Sequence, residues 1–357
     1  MSLKFSRKEI KAAAKHFGFF ACGVAKAERV DAETAARVCA WLEKGSQADM
    51  AYMGNYTDKR LDPRLLVPGT KTILSLAMNY APAKTLPKGE YQLAAYAYGL
   101  DYHDIMKAKL RDLVEAKLRV KEEPNSSGES DSSDQSDLSD QSDLSELSDQ
   151  SDTSDSSPKQ SPQISPSEIR VFVDTAPVLE RYWAWKAGLG WIGKSHQLII
   201  PHAGSMFFLG EIFLPYEFDE YDEPMPSRCG NCRRCIDACP THAITEAQGF
   251  DSVKCLSYQL IENRGSLSEE AVSTMNDTIY GCDRCQTACP WNKFAIPNTT
   301  PEFQPKPELM AMTKDDWHNL TLEQYRKLFK GSAVKRVKFE GLKRNIAAAN
   351  GNSDVIE

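Results

Sequence analysis

The sequence has no apolar run that approaches the roughly 20 residues of a transmembrane helix, although it is 357 residues long. Its first nine residues lack the charged start, apolar middle and small-residue cleavage site of a secretory signal, and they contain no twin arginine. We therefore expect a cytoplasmic protein without membrane attachment. In that compartment disulfides are rare, so clustered cysteines indicate metal ligands or reactive thiols.

The net charge of −7 is due to one segment. Residues 125–160 are built mainly from Ser, Asp and Gln, with ten acidic residues against a single basic one, Lys159. Removing that contribution of −9 leaves the rest of the chain at +2. A repetitive segment without aromatic residues cannot bury enough apolar surface to fold. We predict a disordered insertion at 121–166 in an otherwise slightly basic protein.

Hydrophobic periodicity on both sides of the insertion predicts a single mixed α/β domain at 1–215. The predicted elements are helices within 5–45, at 105–120 and at 177–187, and strands at 72–78, 169–174, 197–200 and 205–214. The last two strands are predicted to form a hairpin through the turn at 201–204.

Eight of the ten cysteines follow iron–sulfur spacing. Residues 229–240 read Cys-x2-Cys-x2-Cys-x3-Cys-Pro, a run whose first three cysteines hold one [4Fe-4S] cluster while the fourth crosses to the other. Residues 282–290 repeat the run without its first cysteine, which Cys255 can supply. The predicted ligands are Cys229, Cys232, Cys235 and Cys289 for the first cluster and Cys239, Cys255, Cys282 and Cys285 for the second.

The alternative for these cysteines is a pair of zinc sites with four thiolates each. The Cys-Pro ending of both runs favours iron–sulfur. Cys22 and Cys39 lie in stretches predicted to be helical and are interpreted as buried thiols. Two neighbouring clusters imply one-electron transfer, and the domain before them is expected to hold the electron acceptor.

Longer motifs cover nearly the whole chain outside the Ser/Asp-rich segment. They include Arg60-Leu-Asp-Pro, Gly99-Leu-Asp-Tyr-His, Asp174-Thr-Ala-Pro-Val-Leu-Glu-Arg, Gly190-Trp-Ile-Gly-Lys, Cys255-Leu-Ser-Tyr-Gln-Leu-Ile-Glu and Cys289-Pro-Trp-Asn. Together they resemble the epoxyqueuosine reductase family. The resemblance implies an α+β fold with a nitroreductase-like cobalamin-binding domain (1–215), a two-cluster bacterial ferredoxin-like domain (216–300) and a short, basic helical segment (301–357).

The activity implied by the resemblance is the last step of queuosine biosynthesis. It reduces epoxyqueuosine to queuosine at the wobble position of the tRNA anticodon loop, with two electrons and loss of water. The implied cofactors are cobalamin and two [4Fe-4S] clusters. The implied partners are tRNA carrying epoxyqueuosine and an unidentified low-potential electron donor, and we expect a monomer.

The resemblance also implies site residues. Asp174 is the implied proton donor, a role that requires a carboxyl pKa raised by desolvation, with Phe172 and Trp191 as candidate apolar neighbours. The alternative role of Asp174 is a helix N-cap. Asp101 and His103 belong either to the same pocket or to a capped helix start. The predicted cobalamin contacts are Arg60, Asp174, Leu198, Leu209, Ser257, Cys282 and Asp283.

Basic residues crowd near the C-terminus, where residues 326–344 contain eight Lys or Arg and one acid, Glu340. Apolar residues alternate with them, so one face can pack while the other meets phosphates. The predicted tRNA contacts are Arg264, Lys335, Arg336 and Lys338.

Two other functions remain open on sequence grounds. A cobalamin-dependent, reductive dehalogenase-like oxidoreductase would share the same cofactors, but the missing twin-arginine signal and the basic C-terminal segment argue against it. A non-catalytic iron–sulfur electron carrier would leave Asp174 and the basic segment without a role.

Overall fold

The computed structural model describes residues 4–118, 169–247 and 249–351, so the insertion predicted at 121–166 lies outside the described residues. No helix within these three ranges is long and apolar enough to cross a membrane. The helices are α1 (Arg7–His16), α2 (Ala32–Glu43), α3 (Thr57–Leu61), α4 (Pro63–Leu66), α5 (Tyr102–Lys117), α6 (Glu180–Lys186), α7 (Arg234–Asp237), α8 (Leu256–Ile261), α9 (Glu269–Met275), α10 (Arg284–Thr287), α11 (Pro307–Met310), α12 (Lys314–His318), α13 (Leu322–Leu328) and α14 (Lys338–Ala349). The strands are β1 (Lys4–Phe5), β2 (Ala21–Lys26), β3 (Thr72–Asn79), β4 (Gln92–Leu93), β5 (Arg170–Phe172), β6 (Trp191–Ile192), β7 (Leu198–Ile199), β8 (Phe207–Leu214), β9 (Glu217–Phe218), β10 (Ile244–Thr245), β11 (Gly249–Phe250) and β12 (Thr278–Tyr280).

An antiparallel sheet in the order β2-β3-β8-β5 forms the centre of the fold. Successive side chains of a strand point to opposite faces, and both faces of β3 are buried. Leu74 and Leu76 pack on the side of α1 and α5, whereas Ile73 and Ala77 pack on the side of α2 and α6. The sheet is therefore covered by helices on both faces.

The C-terminal helices belong to the same core as the sheet. Trp317, Phe329 and Leu342 are buried in one apolar cluster with Leu110 of α5. Strand β12 pairs in parallel with β4, which ties the cysteine-rich segment to the sheet domain. The loop before α5 is held by the C-terminal segment, since Leu100 and Asp101 donate backbone hydrogen bonds to the carbonyls of Glu302 and Gly331 (2.7 and 2.6 Å).

Two predicted elements were wrong. The stretch 5–45 is not helical throughout, because residues 21–26 form β2, with Cys22 on it, and pair in register with β3. Residues 198–209 do not form a hairpin. Strand β7 pairs with β6, β8 pairs with β3 and β5, and the intervening turn closes only the bridge between Ile200 and Gly204. Both errors concern which partner a strand finds, and that depends on residues distant in the chain.

Gly99 allows the close approach of the C-terminal segment to the loop before α5. A Cβ at this position would lie 2.3 Å from the carbonyl oxygen of Glu302 and 2.5 Å from the Cα of Phe303. We expect Gly99→Ala to lower the free energy of unfolding by about 1–3 kcal/mol, because backbone must move to admit the methyl group. Gly54→Ala, where the nearest atom would lie at 3.6 Å, is the matched control. Denaturant unfolding measures both, and equal losses would contradict the close-contact explanation.

Candidate functional site

Asp174 lies just beyond the end of β5, in the left-handed backbone conformation (φ 51°). Its side chain is 60% exposed, and its backbone N–H donates to the carboxylate of Glu180. Helix α6 starts after Leu179, which provides no side-chain cap. The alternative role of Asp174 as an N-cap is therefore not seen, and its carboxylate is available for other partners.

Two side chains from the first turn of α5 approach this carboxylate. The Tyr102 hydroxyl donates to Asp174 Oδ2 at 2.6 Å, and His103 Nε2 lies 3.6 Å from the same oxygen. On its other side, His103 Nδ1 donates to Asp101 Oδ1 at 2.6 Å. Asp101 also caps α5 by accepting from the backbone N–H of His103. Asp101 therefore caps the helix and also begins a row of charged side chains, Asp101–His103–Asp174.

The protons in this row sit on the histidine. Burial opposes the charge on His103, but the hydrogen bonds and negative charges of Asp101 and Asp174 outweigh it and raise the His103 pKa to about 9. Burial would raise the pKa of Asp174, yet the hydrogen bonds from His103 and Tyr102 lower it overall. At neutral pH the pair is an imidazolium beside a carboxylate.

The predicted upward pKa shift of Asp174 is therefore wrong for the side chains of this structure. The proposed apolar neighbours do not surround its carboxylate, since Phe172 is buried in the core on the α6 side and Trp191 packs against Trp291 with ring centroids 4.8 Å apart. The carboxylate of Asp174 is instead in contact with the hydrogen-bond donors Tyr102 and His103.

Two further carboxyl groups near Asp174, those of the half-buried Glu180 and the fully buried Glu211, were not predicted. Burial and the repulsion from Asp174 raise the Glu180 pKa to about 8. Glu211 on β8 is fully buried, and one of its oxygens accepts from the Ser75 hydroxyl at 3.1 Å. Burial, with repulsion from Glu180, raises the pKa of Glu211 well above its usual range. Glu211 could have been noticed in the sequence, because it is the single charged residue in the apolar strand β8.

Tyr52 connects this site to the predicted tRNA contacts. Burial raises the pKa of Tyr52, and the negative charges of Glu262 and Asp174 raise it further. The guanidinium of Arg336 stands over the Tyr52 ring at 5.9 Å and donates twice to Glu262, at 2.8 Å each. Arg264 donates to the backbone carbonyl of Arg336 at 2.9 Å.

The four predicted tRNA contacts thus form two kinds of site. Arg264 and Arg336 are interlocked with Glu262 beside Tyr52. Lys335 and Lys338 are exposed, and the structure gives their side chains no ion pair or hydrogen bond with other described residues.

The first predicted thiol set, named set A (Cys229, Cys232, Cys235 and Cys289), is brought together by the fold. Its four thiols line one cavity together with Ser195 and Trp291. Burial, followed by repulsion from other thiols of the set, raises the pKa of Cys235 and of Cys289. Cys289 thus reaches across from the second run to the first, as the ferredoxin spacing predicts.

The second set, named set B (Cys239, Cys255, Cys282 and Cys285), is also gathered, since Cys255 and Cys285 pack against the small apolar cluster that contains Cys239. Burial, and then repulsion from Cys255, raises the Cys282 pKa to about 11. The pKa of Cys285 is raised by burial and by the three other thiols of set B. Helices α7 and α10 carry Cys235 and Cys285 on equivalent turns of the two runs.

The spacing of the thiols bears on the choice between iron–sulfur and zinc. Among residues 4–118, 169–247 and 249–351, no three His, Cys, Asp or Glu side chains converge as they would on a single metal ion. A zinc site requires that convergence, whereas a [4Fe-4S] cluster places its own iron and sulfide between the four thiolates.

The predicted cobalamin contacts lie in different environments. Arg60 is buried, 7% exposed, and its Nε–H has no acceptor among the described residues. Its terminal nitrogen donates to the Tyr52 carbonyl at 3.4 Å. The unused buried donor fits a polar group of a large cofactor such as cobalamin.

The remaining predicted contacts are less uniform. Leu198 and Leu209 are buried in the core on the α6 side. Ser257 is half-buried on α8. Asp283, beside Cys282, accepts from the Ala95 backbone N–H at 2.7 Å, and burial raises its pKa to about 6.

Comparison with known proteins agrees with this arrangement. The model of a 4Fe-4S double cluster binding domain matches residues 228–292, and the model described as epoxyqueuosine reductase QueG, DUF1730, matches residues 60–129. The epoxyqueuosine reductase of Cellulophaga algicola is 40% identical over 94% of this chain and 95% of its own length. That of Leadbetterella byssophila is 42% identical over 95% of this chain and 97% of its own.

A solved epoxyqueuosine reductase in complex with an epoxyqueuosine-modified tRNA-Tyr stem loop has the same fold, with a TM-score of 0.77 at 24% identity over 97% of this chain and 81% of that one. The α+β fold and the double-cluster domain define an iron–sulfur oxidoreductase. The chain belongs to the epoxyqueuosine reductase family, which confirms both the resemblance and the predicted fold class.

The thiol sets predict the result of single cysteine substitutions. We expect Cys289→Ala and Cys255→Ala each to lower the iron content of the anaerobically reconstituted protein from about eight atoms per chain towards four, because each removes one ligand from a different set. Iron and sulfide analysis with electron paramagnetic resonance measures the loss. Cys39→Ala, outside both sets, is the control, and undiminished iron in both ligand variants would contradict the assignment.

Proposed function

We propose that this protein reduces epoxyqueuosine to queuosine in the anticodon loop of tRNA. The observation that carries the proposal is the charged row Asp101–His103–Asp174, found in a member of this family that also gathers two sets of four thiols. In the related solved structure the ligand is an epoxyqueuosine-modified tRNA stem loop. We further infer a monomeric, cytoplasmic protein that receives electrons from a separate donor.

Proton balance explains why the site needs more than one acid. Converting the epoxide to an alkene consumes two electrons and two protons and releases the oxygen as water. A single carboxyl group supplies one proton per cycle. Because Asp174 is ionised at neutral pH, the pair that it forms with His103, 3.6 Å away, stores only one of the two protons. The neighbouring Glu180, whose pKa is raised to about 8, would store the second.

His103 would store the proton, and Asp174 would transfer it to the substrate. Because the Asp174 carboxylate is ionised while His103 is charged, the proton for the departing oxygen is stored on Nε2 of His103. Asp174 is placed to pass protons from Nε2 to that oxygen. Asp101 holds Nδ1, so the ring stays oriented while Nε2 gains and loses its proton. Tyr102 keeps the Asp174 carboxylate in place.

The cofactors would supply the electrons. Two [4Fe-4S] clusters held by sets A and B, and cobalamin, provide the strongly reducing chemistry that no amino-acid side chain offers. Arg60 is the side chain best suited to hold cobalamin, because its buried Nε–H lacks an acceptor. The Asp174 turn, the backbone of Leu198 and Leu209, Ser257 and the Cys282–Asp283 pair complete the proposed contacts.

The tRNA would approach from the side of Tyr52. Arg336 and Arg264 form a positively charged edge next to the Asp174 site, and the exposed Lys335 and Lys338 extend it. Binding of a single-stranded loop at this edge lets the modified base reach Asp174.

Asp174→Asn tests the proton donor. We expect turnover to fall by at least about 100-fold, because asparagine cannot carry a proton to the leaving oxygen. The measurement is anaerobic reduction of epoxyqueuosine-containing tRNA by the reconstituted protein, followed by mass spectrometry of the digested nucleosides for the loss of one oxygen. Asp112→Asn, on the exposed side of α5, is the matched control. No conversion by the wild type, with clusters and cobalamin bound, would overturn the proposed function in favour of a dehalogenase-like enzyme or an electron carrier.

The pH dependence tests His103. Its raised pKa means that the protonated form is present below about pH 9 and is lost as the pH rises through that value, so turnover should decline there. Asp101→Asn removes a carboxylate that supports the charge, so the decline should begin at lower pH. Asp104→Asn, an exposed acid in the same first turn of α5, should leave the profile unchanged. A profile that does not respond to Asp101→Asn would remove His103 from the mechanism.

A further inference from the structure

An exposed aromatic patch follows Cys289, the set A cysteine that crosses between the two runs. Trp291 and Phe294 pack with His202, with ring centroids 5.7–6.1 Å apart. Phe294 is 41% exposed and the neighbouring Ile296 is 61% exposed. Large apolar side chains this exposed, next to a proposed metal cluster, indicate a contact surface rather than core packing.

Unpaired positive charges surround this patch. Arg228 and Lys293 are exposed and stand over aromatic rings, those of Trp191 (6.0 Å) and Phe294 (4.8 Å). Arg234 is also exposed, at the start of α7. The structure gives none of these three cations an ion pair with another described residue.

The acidic residues nearby are already engaged. Glu246 pairs with Arg233 at 2.6 Å and with Lys194 at 3.0 Å, and Asp237 lies 3.6 Å from Arg233. The rim formed by Arg228, Arg234 and Lys293 therefore keeps an excess of positive charge.

Set A and set B have different surroundings. Set A lines a cavity with Lys194 and Trp291, next to the patch. Set B borders the Asp174 side: Asp283 follows Cys282 and binds the backbone of Ala95, and the adjacent Tyr96 packs against Tyr102 at 6.4 Å. Tyr102 in turn donates to Asp174. Electrons would thus enter at set A and leave from set B.

We propose that the aromatic patch around Cys289 and its cationic rim are the docking surface for an acidic, low-potential one-electron carrier protein. The inference rests on the proposed function. A small apolar centre with a charged rim suits the short-lived contacts of electron transfer, and opposite charge speeds the encounter. In each encounter one electron passes from the reduced flavin or iron–sulfur centre of the carrier to the set A cluster. Two encounters supply the two electrons that one epoxide consumes.

The test follows cluster reduction without tRNA, so its outcome does not depend on turnover. Reduced flavodoxin, an acidic probe, is mixed anaerobically with the oxidised reconstituted protein, and the visible absorbance of the clusters is followed by stopped flow at several salt concentrations.

The variant is the triple charge reversal Arg228→Glu, Arg234→Glu and Lys293→Glu. A second variant, Arg234→Glu with Lys293→Glu, leaves the contact between Arg228 and Trp191 intact. The control reverses three exposed cations on α1 and α5, namely Lys8→Glu, Arg111→Glu and Lys117→Glu.

At low salt we expect the triple variant to be reduced by flavodoxin at least about tenfold more slowly than the wild type, with the difference shrinking as salt is added. The double variant should show a smaller loss, the control variant none, and reduction by dithionite should be unaffected. Iron content establishes that the clusters are intact. An unchanged flavodoxin rate in the triple variant, or an equal loss in the control, would overturn the proposal. So would a loss of tRNA affinity confined to the triple variant, which would assign this surface to RNA.

Discussion

The positive charge on His103 between two carboxylates is the interaction on which the site depends. It exists because three separate parts of the chain meet: the first turn of α5 carries Asp101 and His103, the end of β5 carries Asp174, and carbonyls of the C-terminal segment hold the loop before α5. Burial alone would favour a neutral histidine, so the charge persists only while both carboxylates stay close. The core, a sheet with helices on both faces, holds α5, the end of β5 and the C-terminal segment in these positions.

Proton handling and electron handling occupy different parts of one core. The acids lie where α5 meets β5, on the sheet domain, whereas the thiol sets lie in the cysteine-rich segment. Several contacts join them, among them the parallel pairing of β12 with β4 and the hydrogen bond from the Ala95 backbone to Asp283. The same polypeptide stretch, 92–103, therefore leads from set B to the acid row. A shift of this stretch would disturb both functions at once.

Much of this arrangement was predictable because its signals are local. Cysteine spacing predicted the two groups of four thiols that the fold brings together, and the long apolar runs predicted β3 and β8. Strand β2 and the partner of β7 were missed, since short strands are decided by contacts distant in sequence. The roles of Tyr102, Glu180 and Glu211 arise from proximity in space. The pKa of Asp174 was predicted in the wrong direction because hydrogen bonds from Tyr102 and His103, which lie far from it in the sequence, lower it.

The position of the Ser/Asp-rich segment, which follows the end of α5 and precedes β5, has a practical consequence. Helix α5 carries the acid row at its N-terminal end, and its 16 residues rise over about 24 Å before the chain reaches Leu118. Strand β5 likewise starts near Ile169 and delivers Asp174 at its far end. The Ser/Asp-rich segment thus joins the two elements at the ends opposite the chemistry. This junction is a natural position for splicing in a fluorescent or affinity domain without touching the acids or the thiols.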